Sequence, residues 1–179
     1  MTPAEHPSPR IYVASLSDYN AGRLWGRWIE ADQSIEAISA AVEELLRLSP
    51  EPGAEEWAIH DYEGFGPLRL GEYENLEQVA TIGRGIAEHG VAFAHWADYL
   101  GRDQWDDLAA FDDVYDGEYP DLVTWATEQL EALGIDPNDQ SDDDPLARYW
   151  HFDMEAYAND LAADFIVCPD DSGVYVFWS

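Results

Sequence analysis

The sequence contains no lysine, and its eight basic side chains are all arginines. They stand against 38 aspartates and glutamates in a chain of 179 residues, which gives a formal net charge of −30. A protein that binds nucleic acid or anionic lipid needs a basic face to neutralise the phosphates. The composition therefore excludes nucleic acid and membranes as direct partners, and it predicts a partner that is positively charged.

Cysteine and long apolar runs are scarce as well. The single Cys168 excludes an internal disulfide, and its place in the apolar run 165–168 predicts a buried thiol rather than a nucleophile. No stretch reaches the roughly 18 consecutive apolar residues of a membrane span, and residues 1–10 lack the basic start and apolar run of a signal peptide. These features predict a cytoplasmic protein.

The motifs of common enzyme classes are also missing. The sequence has neither G-x-S-x-G nor G-x-x-x-x-G-K, and its five histidines show no metal-ligand spacing. Residues 136–147 begin like a calcium loop but lack the third acidic ligand, the turn glycine and the final glutamate. We therefore expect no catalytic residue, no cofactor and no metal site. Two of the 38 acids could still converge as the carboxylate pair of a hydrolase.

The chain does contain enough apolar material for a folded core. Hydrophobic residues make up 46% and aromatic residues 13%, including eight tryptophans, which excludes the disorder typical of acid-rich chains. Strand-like alternation over residues 11–15, 24–29 and 57–61 surrounds an amphipathic helix that begins after Ser34 and ends before Pro50. Residues 10–62 are therefore predicted to form a strand-strand-helix-strand unit, with a turn at residues 17–22.

Two further small units are expected to follow. Residues 63–110 show helical spacing, which is predicted to be broken into short helices by four glycines, Gly83, Gly85, Gly90 and Gly101. Residues 111–179 predict a helix ended by Gly134, a second helix with Asp153 as its N-cap, and a terminal hairpin of residues 165–168 and 174–178. The predicted fold class is α+β, with an elongated protomer built from three small units.

The negative charge is heaviest in the C-terminal third. Residues 1–61 carry a net charge of −7, residues 62–110 carry −6, and residues 111–179 carry −17, with one arginine among 18 acids. Many acids are three or four residues apart, as Asp160 and Asp164 are. Like charges at this spacing destabilise an isolated helix by roughly 0.2–0.5 kcal/mol per pair. A sequence shaped only for stability would place lysines between them.

Carboxylates at this spacing lie about 5–6 Å apart at Cβ, which is similar to the separation of phosphates along a DNA strand. Duplex DNA carries one charge per ~1.7 Å of axis, so a net charge of −30 matches roughly 50 Å, or about 15 base pairs. Ordinary solvated faces or adaptation to high salt would also enrich acids, although eight tryptophans fit salt adaptation poorly. The carboxylates predicted to form a DNA-mimic surface are Glu74, Glu77, Asp103, Asp106, Asp107, Asp112, Asp113, Asp116, Glu118, Asp121, Glu128, Glu131, Asp142, Asp143 and Asp144.

Several segments of the chain resemble the ArdA family of antirestriction proteins. The N-terminal resemblance lies in residues 10–24, RIYVASLSDYNAGRL, continued by residues 26–29, GRWI, and in residues 55–65, EEWAIHDYEGF. Residues 111–133 and 153–161 resemble the C-terminal region of that family. The resemblance therefore extends over nearly the whole chain after residue 10.

This resemblance implies a non-enzymatic DNA mimic that is carried by mobile genetic elements. Such proteins occupy the DNA groove of type I restriction-modification enzymes and block restriction and often modification. The resemblance also implies a homodimer joined through the C-terminal unit, and it places the antirestriction motif on the helix over about residues 121–133. The apolar residues of this helix, which could serve the dimer as well as the core, are Leu122, Trp125, Ala126, Leu130 and Leu133.

Three functions stay open from the sequence, and we favour inhibition of the methyltransferase core of a type I enzyme. In this hypothesis the carboxylates attract the basic groove of the enzyme and compete with DNA. One alternative is a generic acidic interaction protein that targets another basic DNA-binding protein. The other is a carboxylate-dependent hydrolase. Displacement of duplex DNA from a type I methyltransferase would distinguish the three.

Overall fold

The computed structural model describes residues 8–136 and 151–179, which fold into two compact units. The first unit ends at Ala109 and the second comprises Ala110–Ser179. The described residues form seven α-helices and two three-stranded antiparallel sheets, which confirms the α+β fold class. The predicted boundary at residue 62, which divides the first unit into a strand-rich part and a helical part, stays a prediction.

The sheet of the first unit has the strand order β2-β1-β3, with β1 at Arg10–Ser15, β2 at Gly26–Glu30 and β3 at Trp57–Glu63. All three strands were predicted. The central strand is the most deeply buried, because Ile11, Val13 and Ala14 have no exposed surface. A central strand is covered on both sides by its neighbours, which explains why the most apolar of the three segments occupies this place.

A short helix replaces the turn that was predicted at residues 17–22. Helix α1 covers Leu16–Asn20, and the Ser15 hydroxyl caps it by accepting a hydrogen bond from the Asp18 N–H at 3.3 Å. The turn prediction was correct only for its end, where Gly22 adopts a φ of +80°. Helix α2 covers Ile35–Arg47 and begins after Ser34, as predicted, because the Ser34 hydroxyl accepts from the Ala37 N–H.

Two longer helices and a 3-10 segment complete the first unit. Helix α3 covers Leu76–His89, α4 covers Val91–Leu100, and the 3-10 segment covers Arg102–Ala110. Gly90 and Gly101 end helices as predicted, but the prediction that Gly83 and Gly85 do so was wrong. Both lie inside α3 because they allow close packing: a Cβ on Gly83 would lie 2.2 Å from the Ala31 carbonyl oxygen.

The second unit contains helices α5 (Phe111–Val114), α6 (Leu122–Ala132) and α7 (Met154–Ala162), and strands β4 (Tyr115–Tyr119), β5 (Phe165–Asp170) and β6 (Gly173–Trp178). The sheet order is β4-β6-β5. The two predicted helices and the terminal hairpin are confirmed. Strand β4 was not predicted, and it exists through pairing with β6, which is distant in sequence.

The core of the second unit is small and apolar, and its buried members are Trp125, Ala126, Ala158 and Val176. Asp153 caps α7 as predicted, because its carboxylate accepts from the Ala156 N–H at 3.0 Å. Pro169 lies in β5, which is an edge strand, the usual place for a proline within a sheet. Cys168 is half-buried, so its thiol is less enclosed than predicted.

No helix in residues 8–136 and 151–179 combines the length and the apolar character needed to cross a bilayer.

Candidate functional site

Arginines in the first unit neutralise part of its negative charge. Arg102, for example, lies 2.6 Å from the Glu74 carboxylate, and Arg23 lies 2.8 Å from the fully buried carboxylate of Asp18. Two further pairs, both more exposed, are Arg10–Glu63 at 2.6 Å and Arg27–Glu44 at 2.9 Å. These acids therefore stabilise the fold and are poor candidates for an interaction with a cationic partner.

The second unit is different because it has almost no basic residue. Its one arginine, Arg148, lies outside the described residues, as do three acids that were predicted as site residues, Asp142, Asp143 and Asp144. Within 110–136 and 151–179 no Lys or Arg is present to pair with the acids. These residues therefore contribute no Lys or Arg side chain of their own to balance their carboxylates.

The 3-10 segment presents three of the predicted site carboxylates. Asp103, Asp106 and Asp107 are exposed, whereas Trp105 and Leu108 are buried. A 3-10 helix has three residues per turn and rises about 2.0 Å per residue, so Asp103 and Asp106 lie on one face and Asp107 on the next. Three charges over about 8 Å are close to the density of a DNA strand, which carries one charge per about 3.4 Å.

This segment is anchored by its buried tryptophan. The Trp105 indole N–H donates to the Ala97 carbonyl at 3.0 Å, and the Arg102 guanidinium lies 5.8 Å from the centre of the Trp105 ring. These contacts fix the helical rotation of the segment. The three aspartates are therefore directed into solvent by a rigid support.

Most of the predicted site carboxylates in the second unit are also exposed. Asp112 and Asp113 lie on α5, Glu118 lies on β4, and Glu128 and Glu131 lie three residues apart on α6. Asp121 is exposed at the N-cap of α6, where the backbone N–H of Thr124 lowers the pKa of its carboxyl group. In the first unit, Glu77 is likewise exposed, in the first turn of α3.

Two predicted site residues have structural contacts instead. The Glu74 side chain is only 9% exposed and accepts hydrogen bonds from Arg102 Nε and from the Gly71 N–H, both at 2.7 Å. Asp116 is half-buried, and its Oδ2 accepts from the Tyr119 hydroxyl and the Trp125 indole N–H, both at 3.0 Å. We therefore leave Glu74 out of the candidate surface, and we treat Asp116 as a support for it.

Further exposed acids in the second unit escaped the prediction. Glu155 and Asp160 lie on α7, Asp164 follows that helix, and Asp170 and Asp171 lie at the hairpin turn. The spacing of Asp160 and Asp164 was a signal in the sequence. The two hairpin acids gave no such signal, because their exposure follows from the tight turn between β5 and β6.

The negative charge of the second unit acts on its tyrosines. Burial, then the Glu118 carboxylate, and then Tyr175 and Asp116 raise the pKa of Tyr115 to about 12. Burial and the hydrogen bond to Asp116 raise the pKa of Tyr119 to about 12, with a smaller contribution from Glu128. Carboxylates on both β4 and α6 therefore contribute to the negative potential at the tyrosines of this sheet.

The apolar stripe of α6 serves mainly the core of its own unit. Trp125, Ala126 and Leu130 are buried, and the Trp125 ring packs edge-on against Phe165 at 4.9 Å. Leu122 is half-buried against the same core. Leu133 alone among the five is exposed, at 71%, and the neighbouring Ile135 is exposed as well. Of the five residues predicted for a dimer contact, only Leu133 is therefore exposed.

The arrangement is that of a charged surface. Within the part of the chain that the structure describes, no three His, Cys, Asp or Glu side chains are placed to hold a metal ion. The family model described as antirestriction protein (ArdA) matches residues 11–175. No curated protein matches the chain.

Proposed function

Because the chain belongs to the ArdA family of antirestriction proteins, we propose that it inhibits type I restriction-modification enzymes by presenting carboxylates in place of DNA phosphates. The family consists of inhibitor proteins that interact with restriction enzymes. In this proposal the target is the DNA groove of the methyltransferase core, and occupation of that groove blocks restriction and also modification. The inhibitor acts without catalysis.

The observation that carries the proposal is the absence of Lys and Arg from the described residues of the second unit. Among the acids of this unit, Asp113, Glu118, Glu128 and Glu131 are exposed. Such an arrangement costs folding free energy through repulsion, and the cost is offset if the surface binds a cationic groove. The set Asp103, Asp106 and Asp107 supports the proposal independently, because its charge density is close to that of one DNA strand.

Electrostatics also supports a rapid association. A groove that has evolved to bind a polyanion carries a positive potential, and complementary fields raise association rate constants by factors of about 10 to 1,000. The inhibitor and DNA would compete for one site, and both complexes would weaken as salt is added. The protein would act in the cytoplasm, and we expect a mobile genetic element to encode it, because an incoming element benefits from restriction being blocked.

We further propose a homodimer formed through the second unit. The exposed Leu133 and Ile135 at the end of α6 are apolar side chains that association would remove from water. A symmetric dimer would carry twice the charge of one chain, matching about 30 base pairs of duplex. Sedimentation of the full chain with and without the change Leu133→Asp tests this part of the proposal.

The function is tested by competition. A labelled duplex is bound to a purified type I methyltransferase, the protein is added in increasing amounts, and both release of the duplex and methyl transfer are measured. Stoichiometric release together with loss of methyl transfer is the expected result. Failure to release the duplex, combined with binding to another basic DNA-binding protein, would instead favour a generic acidic interaction protein. Turnover of a substrate by the isolated protein would favour a hydrolase.

A further inference from the structure

A cavity of about 410 Å³ lies in the first unit, and its lining residues are Leu16, Glu55, Glu56, Trp57, Tyr73 and Glu74. Three segments form it: the start of α1, the residues that lead into β3, and the segment 71–74. The Leu16 N–H donates to the Glu56 carbonyl at 3.0 Å, and the Ile59 N–H donates to the Glu72 carbonyl at 2.8 Å. These two backbone hydrogen bonds hold the segments beside each other.

One wall of the cavity is rigid and electrically neutralised. Glu74 accepts from the Gly71 N–H at 2.7 Å and forms an ion pair with Arg102 at 2.6 Å. Arg102 also donates to the Arg69 carbonyl at 2.8 Å, so it ties the segment before Glu74 to the same point. The shape of this wall is therefore set before any ligand binds.

The remaining polar and aromatic side chains of the cavity have no such partners. Glu55 and Glu56 are exposed, and neither forms an ion pair with another described residue. Tyr73 is 71% exposed and Trp57 is half-buried, and neither ring stacks on another ring in residues 8–136 or 151–179. The cavity thus offers two uncompensated carboxylates and two aromatic rings to a ligand.

This combination selects a particular ligand chemistry. The two carboxylates disfavour an anion or an apolar group, while the aromatic rings favour a cation that can stack. A guanidinium fits both, because it is planar, stacks on aromatic faces and forms paired hydrogen bonds to carboxylates. An ammonium is a strongly hydrated point charge that loses more on entering such a site.

We propose that this cavity, which we call the arginine socket, binds an arginine side chain of the restriction enzyme. The inference rests on the proposed function for the identity of the partner. It adds a contact that phosphate mimicry does not provide, because a diffuse field of carboxylates attracts any cation, whereas the arginine socket discriminates arginine from lysine. The contact would contribute to specificity among basic proteins.

The first test uses small probes and the full chain alone. N-acetyl-arginine methylamide and N-acetyl-lysine methylamide are titrated into isotope-labelled protein while backbone and indole resonances are followed. We expect the arginine probe to shift the resonances of Trp57, Tyr73 and Glu56 at lower concentration than the lysine probe does. Equal responses to both probes, or shifts spread evenly over the acidic surface, would overturn the proposal.

Variants of the exposed tyrosine provide matched controls. Tyr73→Leu should weaken binding of the arginine probe about two- to fivefold, which is the factor for loss of an exposed cation–π contact. Tyr73→Phe keeps the ring and should bind as the parent does. Tyr99→Leu, at an exposed tyrosine outside the cavity, should have no effect. Retention of arginine binding by Tyr73→Leu would contradict the assignment of this residue.

The second test measures binding of the same variants to a type I methyltransferase. Tyr73→Leu should weaken the complex while Tyr73→Phe and Tyr99→Leu should not. If no parent complex forms but the probe experiment succeeds, the proposed function fails and the arginine socket stands as an arginine-binding site. If the parent complex forms and Tyr73→Leu binds equally well, the proposal that the enzyme inserts an arginine here is overturned.

Discussion

At the scale of single residues, the acids of this protein fall into a structural class and an exposed class. Asp18 is the clearest structural example, because it is fully buried and contacts Arg23 at 2.8 Å and the Ser49 hydroxyl at 2.5 Å. Burial alone would raise the pKa of its carboxyl group. The hydrogen bonds from Ser49, Ser15 and Arg23 outweigh burial and hold this pKa below its ordinary value of 3.8.

The change Asp18→Asn should destabilise the first unit at neutral pH. A carboxyl group whose pKa is lowered in the folded state stabilises the fold above its unfolded pKa, and this contribution disappears as the pH falls through the folded pKa. The parent should therefore lose stability below about pH 3.8, and the variant should show a shallower loss there. Urea unfolding over an acid pH series measures both effects. Asp32→Asn, at an exposed acid, is the control, and identical behaviour of the two variants would contradict the role given to Asp18.

At Gly83, a change to alanine should destabilise the protein, although the same change stabilises most helices. Alanine normally stabilises a helix interior by about 1 kcal/mol relative to glycine. Here a Cβ would lie 2.2 Å from the Ala31 carbonyl oxygen, so the backbone must move. We expect Gly83→Ala to lower the free energy of unfolding by about 1–3 kcal/mol, the usual cost of overpacking. Urea unfolding measures it, with Ser39→Ala on α2 as the control. An unchanged or increased stability would show that α3 can shift without cost.

At the scale of elements, local patterns explain which parts of the fold could be predicted. Strand β1, helix α2 and helix α7 carry their own periodicity and caps, so the sequence was sufficient to locate them. Strand β4 has the sequence YDGEY, which is poor in branched apolar residues, and it forms because β6 pairs with it. Gly83 and Gly85 misled the prediction because the residues packed against them lie elsewhere in the chain, Ala31 in the loop after β2 and Phe93 in α4.

In the candidate site, too, the features that depend on neighbouring residues in the sequence could be predicted, and those that depend on distant residues could not. Exposure of Asp103, Asp106 and Asp107 follows from their spacing around a buried tryptophan, which the sequence contains. The structural role of Glu74 depends on Arg102, which is 28 residues away in the chain. No local pattern could have indicated that pairing, and the same holds for the distant segments that form the arginine socket.

The sheet of the second unit makes a prediction about alkaline pH. Tyr115 on β4 has a folded pKa of about 12, because burial and then Glu118 disfavour its phenolate, and Tyr119 has a similar value. A group whose folded pKa is raised contributes stability that is complete below the unfolded pKa and is lost as the pH rises through the folded pKa. Stability should therefore fall between pH 10 and about pH 12.

Phenolate absorbance and urea unfolding over this pH range test the prediction. Glu118→Gln should lower the pKa of Tyr115, because it removes a negative charge that opposes the phenolate. Glu155→Gln removes an exposed acid on α7 and should leave the phenolate titration unchanged. Equal titration curves for the parent and Glu118→Gln would show that Glu118 does not contribute to the raised pKa of Tyr115.

At the scale of the whole molecule, a net charge of −30 makes the fold and the proposed complex respond to salt in opposite directions. Repulsion among exposed carboxylates opposes folding, and salt screens it with a Debye length of about 10 Å at 0.1 M and about 3 Å at 1 M. Added sodium chloride should therefore raise the melting temperature of the free protein. The same screening should weaken its complex with a type I methyltransferase. A melting temperature and a Kd that are both insensitive to salt would contradict the electrostatic mechanism.

The charge also predicts how mutations combine. Exposed ion pairs are each worth about 0.2–1 kcal/mol, so any one of Asp103→Asn, Asp106→Asn or Asp107→Asn should weaken the complex by at most about fivefold. The triple variant should weaken it on the order of tenfold or more, and it should reduce the dependence of the Kd on salt because fewer charges contribute.

Changing Glu30, Asp32 and Glu43 to amides removes the same net charge from exposed acids outside the proposed surface. If this control triple weakens the complex equally, net charge and not the placement of the carboxylates drives binding. If one single change abolishes binding, the interaction depends on a localised site, and a distributed imitation of DNA is the wrong mechanism.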